Sequence, residues 1–576
     1  MFKKNTKHLQ PALISAASEL PEKQLKLLKG SWASTFYTEF FCRIDEEIFA
    51  VLYSSEPSRP NIPVNVMVGL EVMKAGFGWS DAELYENHCF NLQVRYALGY
   101  DRLGDGDFAI RTLYYFRERL SKYYLESGVN LLEQAFEQVT DEQILDLQVR
   151  TGMQRMDSTQ IASNICDSTR LHLLVEVLQR IYRMLDEADQ ESYAEAFGPY
   201  LKGKAGQYVY RVKAGESGTH LERIGELMHQ LVDELADAYG GEHCYQILKR
   251  VFEEHFVLEA ESGLRPKEGQ ELSASSLQSP DDEQASYRRK RGEDYVGYVG
   301  NLTETCDPEN DLQLIVKVQV EPNTTDDAQM LEEVLPELKE RTDLDVMYTD
   351  GGYSSEDVDD LLAELEVDQV QSAIKGAKPD PENLGLDDFD WEIEAKGIPQ
   401  GVTCPHGVQA QVIAGRSRDR YLAYFNLEQC AGCPFAEQCP SEPLGRRPKR
   451  VLRFSKQQFH VARRRQLSAQ AKASGKNLRS AVEATVRSVK HPFRNGKVPV
   501  RGQPRLSMLL IGSAAMSNVR RIYRYLQDKK KSKSQKKSEI SPSDNSVFLF
   551  LSRWSRFFLT FLSFPAHRVT GQAFAN

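Results

Sequence analysis

Apolar residues at helical spacing in this chain alternate with shorter runs that are typical of β-strands. Residues 60–125 carry an apolar stripe that begins at Val64, and Ser80 with Glu83 forms a capping-box pattern ahead of a second helix. Residues 168–265 show another stripe, which passes through Leu174. Both stretches predict compact helical units.

Strand patterns occupy the segments between and after these helices. The sequence GMQRMDSTQIAS places Asp157 within or at the end of a strand, and YVGYVGNLTETC and DLQLIVKVQVEP predict two more strands. In DLDVMYTDGGYSSEDVDDLL an apolar strand ends at Asp350, two glycines turn the backbone and a helix follows. Strands that alternate with helices predict an α/β core, in which sites gather at the carboxyl ends of strands.

Charge is distributed unevenly along the 576 residues, although the net charge is only −11. Residues 1–440 carry 42 Lys and Arg against 78 Asp and Glu, whereas residues 441–576 carry 30 against 5. A basic C-terminal region on an acidic body favours docking of nucleic acid on that region, although mutual neutralisation within the fold would also use these charges.

The basic stretch 443–527 holds 21 Lys and Arg but a single carboxylate, Glu483. Neighbouring cations keep such an acid ionised, so that a divalent metal ion could bind it. Alternatively, Glu483 is a helical ion-pair partner of Arg479 or Arg487, each of which is four residues away. A long basic surface suits a phosphate-rich partner, because each neutralised phosphate releases counterions.

Three acids therefore qualify for one site: Asp157 and Asp350 at strands, and Glu483 on a helix. A two-metal phosphoryl-transfer site needs carboxylates that converge from separate elements, with metals about 3.5–4 Å apart. Each acid alone is weak evidence, since an Asp at a strand end is usually a cap or a turn former.

Four of the nine cysteines cluster between residues 404 and 439. Cys430 and Cys433 form a half-site with zinc-ligand spacing, and Cys439 with Cys404 would complete a tetrahedral site. Such a zinc ion would be structural, because it would hold together an insertion that cannot build its own core. The alternative is four reduced cysteines in an insertion.

Taken together, these motifs resemble the bacterial insertion-sequence DDE transposases. The resemblance covers most of residues 55–525, in the segments RPNIPVNVMVGLEVMKAGFGWSDAELYE, MDST, SPDDEQASYRRKRGEDYVGYVGNLTET, YTDGGY, the Cys cluster and RSAVEATVRSVKHPFR. Many members carry Tyr-x2-Arg-x3-Glu-x6-Lys around the third acid. Here Arg479, Glu483 and Lys490 keep that spacing, but Lys476 replaces the Tyr that would make the finer contacts with the DNA end.

The resemblance implies that Asp157, Asp350 and Glu483 form a catalytic triad that binds Mg²⁺ or Mn²⁺. It implies a transposase that cleaves and rejoins double-stranded DNA at the inverted-repeat ends of its own element, as a homodimer in the synaptic complex. The expected DNA contacts come from the basic C-terminal region: Arg479, Arg487, Lys490, Arg494 and Arg501. Two other functions stay open, an inactive or domesticated DNA-binding relative and another RNase-H-like nuclease.

The implied fold is α/β, an RNase-H-like mixed sheet flanked by helices, with an N-terminal all-α domain and two insertions. The predicted division has six segments: residues 1–140, a helical DNA-binding domain; 141–167 with 291–375, the core; 168–290, a helical insertion and linker; 376–450, a Cys-rich, zinc-ribbon-like insertion; 451–528, a basic helical segment that completes the core; and 529–576, a low-complexity and apolar tail expected to be disordered.

The N-terminal segment lacks an apolar signal core, and the body contains no membrane-spanning segment. The apolar run VFLFLSRWSRFFLTFLSF is interrupted by Arg553 and Arg556, which makes it marginal for a bilayer span. These features predict a protein of the bacterial cytoplasm that associates with the nucleoid and not with a membrane.

Overall fold

The computed structural model describes residues 1–539 except 10–14, 57–58, 103, 166–168, 214, 260–262, 291, 375–377, 395–396, 446, 474–477, 491 and 493–497. Residues 1–525 form one compact unit, and a second unit begins at Leu526. The predicted DNA contact Arg494, the position of Lys476 and the apolar tail 546–576 lie outside the described residues.

The N-terminal region is helical, and the apolar stripe of residues 60–125 predicts the helices in that part of it. Its helices are α1 (Glu22–Lys29), α2 (Trp32–Glu39), α3 (Val64–Phe77), α4 (Asp81–Phe90), α5 (Leu92–Ala97), α6 (Arg111–Ser127) and α7 (Leu131–Leu147). The capping box is confirmed, because Glu83 N donates to Ser80 Oγ at 3.2 Å and Ser80 N donates to Glu83 Oε2 at 2.7 Å. Helix α3 is buried along nearly its whole length and forms the centre of this region.

A helical insertion follows the first strand, β1 (Met153–Ala162). The insertion contains α8 (Arg170–Met184), α9 (Glu187–Ser192), α10 (Ala194–Phe197), α11 (Ala205–Arg211), α12 (Ser217–Glu234), α13 (Ala236–Tyr239), α14 (His243–His255), β2 (Phe256–Glu259) and β3 (Gly263–Pro266). Leu174 of α8 packs with apolar residues of α12 and α14 in a separate core. The expectation of helix up to residue 265 was wrong at its end, where the β-prone residues after His255 pair with β3 in a hairpin.

The central sheet combines β1 with strands from the next stretch of the chain. These elements are β4 (Ser286–Lys290), β5 (Glu293–Thr305), β6 (Ile315–Pro322), α15 (Asp327–Arg341), β7 (Val346–Thr349), α16 (Glu356–Glu364) and β8 (Asp368–Gln371). The order is β4-β5-β1-β7-β8, and β6 also pairs with β5. Strand β5 is antiparallel to its neighbours, whereas β7 is parallel to β1 and β8 is parallel to β7. The mixed α/β class is therefore confirmed, while residues 286–290, predicted as linker, extend this sheet through β4.

The Cys-rich insertion forms a second, antiparallel sheet of its own. Its elements are β9 (Asp390–Ile393), β10 (Pro399–Thr403), β11 (Gln409–Ala414), β12 (Arg420–Asn426), α17 (Leu427–Cys430), β13 (Glu442–Pro443) and β14 (Lys449–Ser455), in the sheet order β13-β14-β12-β11-β10-β9. Phe389, Phe425 and Phe454 are buried between this sheet and the helix that follows it. The expectation that this insertion cannot build a core was wrong.

Three helices complete the described chain: α18 (Lys456–Ala473), α19 (Ser480–Lys490) and α20 (Gln503–Glu539). Leu509 and Met516 of α20 belong to the largest apolar cluster, which also includes residues of α3, β5 and β6. The helix was expected to end near residue 528, but it continues to Glu539, because Lys, Gln and Glu in this stretch are good helix formers. Among the described residues, no helix is both long and apolar enough to cross a membrane.

Candidate active site

Asp157 and Asp350 lie side by side on neighbouring parallel strands. Arg155 of β1 is in register with Tyr348 of β7, so two residues further on Asp157 stands beside Asp350. Adjacent strands are about 4.8 Å apart, which brings the two carboxylates onto one edge of the sheet. Asp350 directly follows β7, and its Oδ1 accepts a hydrogen bond from Gly352 N at 2.6 Å. The structure thus brings together the two acids that the strand patterns predicted.

The guanidinium of Arg479 bridges these two carboxylates. Its Nη2 lies 2.9 Å from Asp157 Oδ1 and 3.9 Å from Asp350 Oδ2. The side chains of Arg479 and Asp157 are largely buried, with 17% and 14% of their surfaces exposed, whereas Asp350 is 39% exposed. The sequence predicted that Arg479 grips DNA phosphate; in this structure the residue neutralises the paired acids instead.

Glu483 lies in the first turn of α19 and is exposed. Among the residues that the structure describes, it forms no ion pair with Arg479 or Arg487, since Arg479 is paired with the aspartates. Burial raises the pKa of Asp157, Arg479 lowers it, and the charges of Asp350 and Glu483 raise it further. Arg479, which contacts both aspartates, directly precedes α19, so the helix that carries Glu483 begins beside them.

Helix α19 is fixed to the sheet by one apolar face and by its last residue. Val482, Val486 and Val489 are buried at helical spacing. Lys490 Nζ donates to Thr159 Oγ1 at 3.0 Å and to the carbonyl oxygen of Gln160 at 2.8 Å, and burial lowers its pKa. Lys490 therefore ties α19 to β1, the strand that carries Asp157.

The remaining predicted DNA contacts differ in their surroundings. Arg487 is exposed on α19. Arg501 Nε donates to the carbonyl oxygen of Asn164 at 2.8 Å, and its Nη1 lies 2.8 Å from Asp281 Oδ2. In the described structure, Arg487 thus presents its charge to solvent, whereas Arg501 is held against the helical insertion and its linker.

Asp327, which no sequence pattern singled out, lies close to the two aspartates. Ser158 Oγ donates to Asp327 Oδ1 at 2.7 Å. A Cβ atom on Gly352 would lie 2.6 Å from Asp327 Oδ2 and 2.8 Å from Asp350 Oδ1, so a larger residue here would displace these carboxylates. Asp327 is buried at the start of α15, directly after the helix cap Asp326, and in the sequence it looks like an ordinary first-turn acid.

The four clustered cysteines converge at one end of the second sheet. Cys404 and Cys430 open tight turns, in which Gly407 N donates to Cys404 O at 2.8 Å and Cys433 N donates to Cys430 O at 3.2 Å. Burial raises the pKa of Cys430, and the other three thiols, including Cys439, raise it further. These cysteines line one small cavity, so the fold assembles them from distant segments of the sequence.

The donor atoms of both sites suit the metal ions that the sequence implies, but neither site has metal-binding geometry. Among the described residues, no group of three or more His, Cys, Asp or Glu side chains is arranged to hold a metal ion. At the aspartates the reason is visible, because Arg479 already supplies the positive charge between them. Carboxylate oxygens remain the ligands that Mg²⁺ prefers, and four thiolates are a frequent zinc ligand set.

Comparison with known families adds an independent finding. Residues 403–523 match the family model described as the transposase DDE domain, and this match supports a DDE transposase. The matched region includes β11 to β14 of the Cys-rich sheet, α18, α19 with Glu483 and most of the apolar portion of α20, but neither Asp157 nor Asp350. No curated protein and no solved structure matches the chain.

Proposed function

We propose that this protein is a DNA transposase that cleaves and rejoins DNA at the inverted-repeat ends of an insertion sequence, with Asp157, Asp350 and Glu483 as its catalytic acids. The observation that carries the proposal is the meeting of three elements at one edge of the sheet. Asp157 on β1 and Asp350 directly after the parallel strand β7 lie side by side, and α19, which Lys490 ties to β1, carries the single acid of the basic stretch 443–527.

The topology and the family match support this assignment. A sheet in which β5 runs antiparallel to both β1 and β6, and in which β7 and β8 run parallel to β1, is consistent with an RNase-H-like core. The transposase DDE match covers the segment with the third acid. The proposed core comprises residues 141–167 and 291–375, extended by β4 and completed by 451–528, with the all-α domain of residues 1–140 and the two insertions around it.

When bound, a pair of divalent cations such as Mg²⁺ or Mn²⁺ would activate the attacking hydroxyl and stabilise the leaving oxygen of an in-line displacement. In this chain, Asp157, Asp350 and Glu483 would hold them. Arg479 would then leave the aspartates, and its freed guanidinium can contact a DNA phosphate. Asp157 is buried and lies near other acids. This environment favours the binding of cations, because each cation relieves the repulsion between the carboxylates.

The DNA itself would lie on the basic C-terminal region, with Arg487 as the most accessible of the predicted contacts. Arg479, Lys490, Arg494 and Arg501 remain in this proposal as further phosphate-binding residues. Cleavage of two ends in one complex would require two copies of the chain, acting on DNA in the bacterial nucleoid.

The proposal is tested with a duplex that carries the terminal inverted repeat found in the DNA around the gene. We expect the purified protein to shift this duplex in a gel with or without Mg²⁺, and to nick it at the element boundary only when Mg²⁺ or Mn²⁺ is added. Specific binding without any nicking in either metal would contradict the enzyme and favour an inactive DNA-binding relative.

We further propose that Cys404, Cys430, Cys433 and Cys439 bind one structural Zn²⁺ ion. Their convergence from two tight turns supports this, although the thiols must turn towards a common centre. We expect about one zinc per chain by atomic emission after purification, and about half of that or less in Cys430→Ser. The isolated Cys306, which is buried in the central sheet region, provides the control variant Cys306→Ser, whose zinc content should equal that of the wild type. A metal-free wild-type protein would show that the four cysteines are simply reduced thiols.

A further inference from the structure

A carboxylate that the catalytic proposal does not use is completely buried beside the candidate site. Glu304 on β5 has no exposed side-chain surface, and its Cα partner across the sheet is Arg155 of β1. Its Oε1 accepts a hydrogen bond from Arg155 Nε at 2.7 Å. Its Oε2 accepts from Thr485 Oγ1 and from Arg521 Nη1, both at 2.7 Å. One carboxylate thus joins β1, α19 and α20.

The contacts of this carboxylate lie close to the proposed catalytic residues. Arg155 is two residues before Asp157 and therefore on the same face of β1. Its Nη1 also donates to the carbonyl oxygen of Leu478 at 2.6 Å, directly before Arg479. Thr485 is buried two residues after Glu483. The network therefore holds α19 on both sides of the third acid.

Arg521 closes the network from α20. Its Nη2 donates to Thr485 Oγ1 at 2.6 Å, and its Nη1 donates to the carbonyl oxygen of Gln313 at 3.1 Å. The Thr485 hydroxyl therefore accepts one hydrogen bond and donates another, which fixes its orientation. This connection sets the position of α19 along the sheet, and apolar contacts alone would specify that position less sharply.

A buried ion pair is weak evidence for stability, because the cost of removing charges from water can exceed their attraction. Apolar residues of similar volume could hold β1, α19 and α20 together at least as well. What hydrogen-bonded charges add is a defined geometry, since their directions and distances are restricted. Catalytic acids need such precision, as their positions must be held within about 0.5 Å.

We propose that Glu304 is a positioning residue. Through Thr485 and Arg155 it fixes the position of Glu483 relative to Asp157, so that both acids can bind metal. The inference rests on the proposed transposase function and deepens it: the network acts on metal binding at the acids and not on recognition of the DNA end. Loss of the Thr485 contact should therefore alter metal dependence and cleavage while DNA-end binding remains.

The test compares Thr485→Val with Thr485→Ser in the nicking assay, as a function of Mg²⁺ concentration. Valine keeps the shape of the side chain but removes the hydroxyl that links α19 to Glu304. We expect Thr485→Val to need about tenfold more Mg²⁺ for half-maximal cleavage, the size typical of residues that orient metal ligands. Thr485→Ser restores the hydroxyl and should stay within about twofold of the wild type, and all should shift the duplex equally.

A matched control separates positioning from a general loss of stability. Thr305 is also buried on β5, next to Glu304, but its hydroxyl donates to Gln313 Oε1 at 2.7 Å and accepts from Leu314 N at 3.0 Å. We expect Thr305→Val to lower the Tm as Thr485→Val does, without changing the Mg²⁺ dependence. Equal metal dependence in these two variants would overturn the inference, whereas a wild-type protein that never nicks DNA would overturn the proposed function itself.

Discussion

Replacing Asp157 by asparagine is expected to lower the rate of end cleavage by at least about 1000-fold, while the protein still binds the DNA end. Asparagine keeps the shape of the side chain but removes the negative charge that would bind a cation. A thousandfold loss corresponds to about 4 kcal/mol of transition-state stabilisation, a size expected for the loss of a metal ligand. Rates of nicking in Mg²⁺, together with gel shifts of the same duplex, measure both quantities.

Asp350→Asn and Glu483→Gln should reproduce this loss, because all three acids act on one site. Asp345→Asn is the matched control. Asp345 directly precedes β7, the strand that Asp350 follows; its side chain is 74% exposed and lies 3.5 Å from Lys339. Its rate should remain within about twofold of the wild type. If Glu483→Gln cleaved as fast as the wild type, the third acid would have to be sought elsewhere, because residues 443–527 contain no other carboxylate.

The proximity of Asp157 and Asp350 could be predicted, because the position of each acid at its strand follows from a local sequence pattern. An apolar run that ends at an acid and a pair of glycines predicts where the strand stops, and carboxyl ends of parallel strands meet at one edge. Glu483 stood out for a different reason, its isolation among basic residues. These signals are local in the sequence, so they do not require knowledge of the fold.

The contacts of Arg479 and Glu304 could not be predicted from local sequence patterns. The spacing suggested Arg479 as a helical ion-pair partner of Glu483, but Arg479 precedes the first residue of α19, and its guanidinium contacts Asp157. Glu304 lies in a strand pattern, NLTET, in which a lone acid suggests a solvent-facing position. Only the arrival of α19 and α20 over this strand buries its carboxylate and supplies its partners, and these contacts are 181 and 217 residues apart in the sequence.

The fold, too, could be predicted where it follows from local patterns, but not where it depends on contacts between residues far apart in the sequence. The apolar stripe and the capping box at Ser80 were sufficient to predict helices within residues 60–125. The Cys-rich insertion was misjudged as lacking a core because its aromatic residues, Phe389, Phe425 and Phe454, are widely separated in sequence and become a cluster only in the antiparallel sheet. Because these residues are buried together, we expect part of this insertion to stay folded when the proposed zinc ion is removed.

Replacing Lys317 by methionine is expected to be the most destabilising single change among the buried charges of the sheet. The Lys317 ammonium lies 2.9 Å from Glu133, 2.6 Å from Glu137 and 2.6 Å from Glu337, and only 9% of its side chain is exposed. Burial alone would lower the pKa of Lys317, but Glu133 and Glu137 outweigh it, and the pKa lies above its ordinary value. Methionine would leave three partly buried carboxylates with Arg341 as their remaining cation, a loss of about 3–5 kcal/mol.

The pH dependence identifies the cause of this loss. Burial already raises the pKa of Glu133 and Glu137 in the folded protein, and removal of the ammonium raises both further. A carboxyl whose pKa is higher in the folded state stabilises that state below its unfolded pKa of about 4.3, and this contribution is lost as the pH rises through the folded pKa. Urea midpoints should therefore show a larger deficit for Lys317→Met at pH 8 than at pH 5. Lys122→Met removes a 73% exposed cation and should change the free energy of unfolding by less than about 0.5 kcal/mol at either pH. An equal deficit at both pH values would mean that Lys317 contributes through the packing of its methylene groups and not through its charge.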